Sequence, residues 1–191
     1  MNKYTLQEKY YFIKHNVKLS NSKNPLEIVK SLMHQEYINI HGPEHHFLDG
    51  AAFLVAFKNA GGKLDIDFAL ETLSERSNKM PGAMCGYWGV CGAVTSIGAA
   101  LSIIDETTPL SCDSSYAKHM EFTSSLLSKM SKIGGPRCCK RNAYLALSEG
   151  VLYANKEYNV NMELEENNCE FKELNKQCIK NRCPFHKNNL Y

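Results

Sequence analysis

Between Pro81 and Ile104 the chain carries no charged side chain, and that run constrains most of what the rest can do. About twenty apolar residues in a row would span a bilayer. This run, however, opens on a proline and holds five glycines, two cysteines and several hydroxyls, so its firmly apolar part is shorter than a span. Its second half, GVCGAVTSIGAALSII from about Gly89 to Ile104, is apolar or small on every side, the signature of a helix buried all round. Such a helix predicts a fold in which amphipathic helices pack around it. Gly92, Ser96 and Gly98 allow a neighbour or a cofactor to approach its backbone closely.

Five further helices follow from caps and periodicity. Asn24 and Pro25 open a helix over residues 25–35. A second starts near Pro43 and runs through FLDGAAFLVAFKNA, burying Phe47, Leu54, Val55 and Phe57 and ending at Gly61 and Gly62. An amphipathic, exposed helix covers about Asp65 to Asn78. Another runs from Ser114 to Ile133, capped by Asp113 or Ser114 and stopped by Gly134 and Gly135. The last spans about Cys138 to Tyr158 and buries Tyr144, Leu145, Leu147, Val151 and Leu152. Only Tyr10–Ile13 and Met162–Leu164 have any strand character. The predicted fold class is all-α: a single compact domain of about six helices over residues 1–158. Beyond it, residues 159–191 form a small polar, cysteine-bearing tail packed on the core. With 191 residues, 43% of them hydrophobic, the chain suffices for one substantial core and is short for two.

A formal charge of +2 lacks the basic excess of a general nucleic-acid binder, so no nucleic-acid partner is expected. Nor is a membrane. The amino terminus has no secretory pattern, which predicts a cytoplasmic protein. In a reducing compartment eight cysteines read as metal ligands or redox groups before they read as a disulfide framework.

Three constellations each sit at a glycine or proline turn opening a helix. In His41-Gly42-Pro43-Glu44-His45-His46, the i, i+4 pair His41 and His45 can share a metal ion, with Glu44 as a further ligand or base; the bland alternative is histidines satisfied by backbone hydrogen bonds. His46 would face a substrate. In Cys85-Gly86-Tyr87-Trp88-Gly89-Val90-Cys91-Gly92, Cys91 lies at a helix start, where backbone N–H groups and the helix dipole favour a thiolate; the alternative is a buried structural cysteine. In Gly134-Gly135-Pro136-Arg137-Cys138-Cys139-Lys140-Arg141, the basic side chains Arg137, Lys140 and Arg141 would stabilise thiolates, an anionic cluster or an anionic substrate. Adjacent cysteines on a helix point about 100° apart, so Cys138 and Cys139 are not expected to serve one cluster together. If the three helix starts converge, they form a thiolate-rich, electropositive pocket walled by Tyr87 and Trp88.

The tail carries Cys169, Cys178, Cys183 and His186 within eighteen residues, the count of a four-coordinate zinc site. Cys183-Pro184 also matches the Cys-Pro ending of iron–sulfur runs.

Taken in order, HGPEHH, CGYWGVCGA with its small-residue helix, GGPRCCKR, NKQC and CPF resemble an uncharacterised cysteine-rich family of anaerobic archaea and bacteria, a domain of unknown function, over about residues 30–186. The CGAVTSIG segment is loosely similar to a motif of small redox proteins. The family resemblance implies an oxygen-sensitive site and assigns no reaction.

The expectation is therefore a redox or group-transfer protein in which Cys85, Cys91 and Cys138 or Cys139 hold an iron–sulfur cluster, 4Fe-4S in type, with zinc as the alternative metal. His41, Glu44 and His45 would complete the site or handle protons, while His46, Trp88, Arg137 and Arg141 bind a small sulfur-containing or anionic substrate. Its partner would be that small molecule or a redox protein. The competing expectations are a non-catalytic cluster carrier or accessory subunit, a zinc-stapled interaction domain, and a metal-free dithiol. The apolar central helix is also available as a homodimer core.

Overall fold

The computed structural model describes residues 3–186. Among them it is all-helical, with helices α1 (Leu6–Val17), α2 (Pro25–Met33), α3 (His45–Asn59), α4 (Ile66–Asn78), α5 (Met84–Tyr87), α6 (Gly92–Ile104), α7 (Ser114–Ile133) and α8 (Cys139–Tyr158), plus one 3₁₀ turn at Lys180–Arg182. The two additions to the expected six are α1 and α5. Tyr10–Ile13 belongs to α1, where Thr5 and Glu8 form a reciprocal capping box that overrides the short aromatic run. Met162–Leu164 forms no regular element.

The uncharged run divides into the single turn α5 and the buried α6, which touches α3, α4, α7 and α8. A second helix shares the centre. Every residue of α3 from His45 to Phe57 is buried, and α3 touches α1, α2, α4, α6 and α8. Small residues let these two helices meet closely: the Gly50 N–H donates to Ser96 Oγ at 2.8 Å, and a Cβ on Gly50 would lie 2.8 Å from that oxygen. Helix α4 is less exposed than its pattern suggests, since Ala69, Leu70, Leu73 and Ser77 face inward. On α8, Leu145 is only half-buried and Leu152 is 60% exposed, because Ala143, Ala146, Gly150 and Ala154 supply the inner stripe with Tyr144, Leu147 and Val151.

The tail is seated on this core. Asn161 N–H donates to the Ala60 carbonyl and Glu163 N–H to that of Lys23. Phe171, 2% exposed, stacks near His34, and Phe185 meets Tyr144 edge-on. No helix among the described residues is long and apolar enough to cross a membrane.

Candidate functional site

The starts of α3, α6 and α8 converge. Residues from all three, with the loop before α5, line one cavity of about 290 Å3. The convergence has a packing cause: α3 and α6 cross at the molecule's centre, and α8 packs on both. Neither α3 nor α6 has a side chain capping its first turn, so uncapped N–H groups and the positive ends of two helix dipoles face this region.

The histidine cluster is divided by role. His41 precedes α3 and both its nitrogens are engaged: Nδ1 accepts from Cys139 N–H at 3.5 Å and Nε2 meets Asn175 Oδ1 at 3.0 Å. That is not the free pair with His45 expected of a shared metal ligand. Glu44 is also reassigned, because it does not line the cavity. Its carboxylate is buried under the turn, ion-paired with Lys9 of α1 at 3.2 Å and accepting Asn39 N–H at 2.8 Å, so it anchors α3 and is not placed to act as a base. His45 lines the cavity with Nε2 on the Asn39 carbonyl at 3.1 Å and Nδ1 3.9 Å from Asp49 Oδ1. Burial and then nearby Lys140 push its pKa down to about 3, so it is neutral. His46 is buried and leaves Nδ1 without a partner. Its ring lies against Gly92, where a Cβ would come within 2.1 Å of it. The glycine is thus required by a histidine of the site itself.

Asp49, one helical turn beyond His45, was not singled out by the sequence reading. It is fully buried in the cavity wall, neither carboxylate oxygen has a hydrogen-bond partner, and burial drives its pKa up to about 8. An orphaned buried carboxyl is costly. Its signal in the sequence was a lone acid in the otherwise apolar run FLDGAAFLVAF.

Four thiols line the cavity, Cys85, Cys91, Cys138 and Cys139, and Cys138 is shared with a second space. Cys91 stands at the N-cap of α6 without a capping bond, and its sulfur accepts from Asn142 Nδ2 at 3.2 Å. Burial raises its thiol and holds that of Cys139 up near 12. The charge of Asp49 raises both, so the three acids oppose one another's ionisation. Arg137 lies at the rim of this cavity and is exposed. Trp88 and Tyr87 do not wall it. They point to solvent, 62% and 81% exposed, because the single turn α5 turns Met84 inward and places Cys85 on the lining. Arg141 does not line this cavity either: buried, it donates to the carbonyls of Gly134 and Pro136 and braces the glycine turn. A wider groove of about 690 Å3 shares Cys85, Cys91, Arg137 and Asn142 with the cavity and opens it to the surface.

Cys138 faces both ways. It lines the first cavity and also a second, much smaller space of about 10 Å3, together with Cys169, Cys178, Cys183 and His186. Cys138, in extended backbone as the N-cap of α8, reaches the second space, whereas Cys139, the first residue of the helix, lines the first cavity and not the second. Lys140, expected with Arg137 and Arg141 to supply positive charge, is buried between the two, with Nζ 3.1 Å from the Asn39 carbonyl, 3.4 Å from His45 Nε2 and 4.7 Å from the Phe171 ring; burial lowers its pKa to about 8. All eight cysteines are free. Among the described residues, no group of three or more His, Cys, Asp or Glu side chains meets the geometry for holding a metal ion.

The model of a family of unknown function, DUF5714, matches residues 13–186. The chain belongs to this family. No curated protein and no solved structure matches. The DUF5714 match begins inside α1 and ends at His186, so the family's domain includes the cysteine tail along with the helices and contains every donor of both cavities.

Proposed function

We propose that this DUF5714 protein is a metal-dependent redox or group-transfer protein acting on a small anionic, sulfur-containing substrate in the 290 Å3 cavity. The observation that carries this reading is the meeting of three helix starts around Cys85, Cys91, Cys139, His46 and Asp49. Those residues fit a thiolate-held metal centre. The sulfur of Cys91 accepts from Asn142 Nδ2 at 3.2 Å, a bond that favours its thiolate against the burial that raises its pKa. Asp49 and His46 aim unpartnered polar atoms into or beside the same space. Three thiols would hold an iron–sulfur cluster with one corner open. When bound, such a centre supplies electrons or a Lewis-acidic iron to a ligand at that corner.

The chain's own residues supply the rest. Arg137 at the rim and the uncapped starts of α3 and α6 attract an anion. His45, neutral at physiological pH, and Asp49, with its pKa pushed up to about 8, are suited to hold or accept a proton beside it. Buried walls exclude water.

The test is protein purified without oxygen and analysed for iron, zinc and sulfide, with an ultraviolet–visible spectrum. Iron and broad absorption that C91S and C139S both abolish, and that changes on adding a small thiol or thiocarboxylate, are expected. Full metal content in both variants would overturn the reading. A carrier role is the second reading, favoured by the exposed Tyr87 and Trp88 beside the open groove, a surface on which a partner could dock. It predicts metal that moves to an acceptor protein and a spectrum indifferent to small ligands.

A further inference from the structure

Counting donors in sequence gives the tail three cysteines and one histidine. The folded chain offers a different set. Cys138, thirty-one residues before the tail's first cysteine, joins Cys169, Cys178 and Cys183 around the small second space.

Two of the four sulfurs are furnished with N–H donors. Cys138 accepts from Arg141 N–H at 3.4 Å and from Asn175 Nδ2 at 3.4 Å. Cys178 accepts from Lys180 N–H at 3.4 Å, two residues beyond it. A thiol needs no such acceptor role, whereas a thiolate gains from it. The lining contains no carboxylate, and cations stand in the wall: Lys140 and Arg141 are both buried, and Arg141 Nη1 has no hydrogen-bond partner. Soft donors, N–H bonds to sulfur and buried positive charge form a site for a thiophilic metal. The space is too small for a diffusing substrate and suits a centre enclosed by its own ligands.

We infer that Cys138, Cys169, Cys178 and Cys183 bind a second, all-thiolate metal centre, iron in a cluster or a single zinc ion, that clamps the tail to the start of α8. This centre is separate from the one proposed in the larger cavity and stands or falls independently of it. Because Cys138 lies in both walls, the second centre forms part of the boundary of the substrate cavity.

The test uses the full chain carrying C85S, C91S and C139S, which leaves Cys138 as the one thiol lining the first cavity. X-ray absorption at the metal edge should show one metal site whose nearest shell is sulfur alone, four neighbours per metal in the mean for iron in a cluster or for zinc. Sulfide analysis separates these two, and either upholds the inference. Adding C138A should abolish metal binding, whereas adding H186A should leave it unchanged. A mixed sulfur and nitrogen shell, loss of metal with H186A, or no metal in the triple variant with native helical circular dichroism would overturn it. The absorption spectrum needs no C138A variant, so the inference remains testable if that substitution prevents folding.

Discussion

Glu44 shows how a residue can fit a catalytic pattern and serve another purpose. Buried with Lys9 at 3.2 Å, it is half of an enclosed ion pair, and removing one partner leaves the other charge stranded, at a cost of about 3–5 kcal/mol. E44A is therefore expected to lower the urea midpoint sharply, and E44A with Lys9→Met to recover much of the loss. Asp49 and His45 set up a second prediction at this scale. The unfolded chain protonates His45 below its ordinary 6.5, while the fold holds it neutral down to about 3, so stability contributed by this group falls as pH drops from 6.5 toward 3. Asp49 has the opposite sign. It stays protonated in the fold up to about 8, against 3.8 when unfolded, so its contribution falls as pH rises across that window. Between 3.8 and 6.5 the two slopes offset each other. In metal-free protein, D49N should leave stability rising with pH over this range and H45Q should leave it falling, a difference read from urea midpoints at several pH values. Parallel profiles for the two variants would mean that these side chains are not held as described.

At the scale of elements, the crossing of α3 and α6 positions the site, and Gly92 is where the crossing and the chemistry meet. A methyl group there would fall about 2 Å from the His46 ring, and that ring is itself buried, so the neighbour cannot simply swing away. Overpacking of this kind costs about 1–3 kcal/mol. G92A is expected to lower thermal stability by that order and to alter the metal content of the first cavity while the helical circular dichroism persists. The tail belongs to the same packing. Phe171 fills a buried site beneath Lys140 and beside His34, and F171A should cost about 3–5 kcal/mol, a loss unexpected of a detachable appendage. Chelating the metal of the second centre should, on the same reasoning, leave the helices in place and render the chain from Asn159 onward sensitive to limited proteolysis.

For the molecule as a whole, the all-helical class was legible because it depends on local signals: caps such as Asn24 and Asp113, stops such as Gly134, and the apolar character of the run ending at Ile104. Helix α1 escaped notice because four aromatic and apolar residues at its middle have the composition of a strand, and only the capping box at Thr5 and Glu8 settles the competition. The candidate ligands were legible too, since cysteine and histidine at helix-opening turns are unusual wherever the turns lie in space. What each one faces was not. Trp88 and Leu152 are apolar yet point to water, Lys140 and Asp49 are charged in type yet lie in the core, and no periodicity reports such exceptions. The sequence by itself determined six of the eight helices among the described residues and the candidate donors at their starts. Only the tertiary structure decided which helix starts meet and that Cys138 lies with the tail's cysteines, because residues brought together across the chain are chosen by the packing of α3, α6 and α8, an arrangement set by long-range contacts and not by neighbours in sequence.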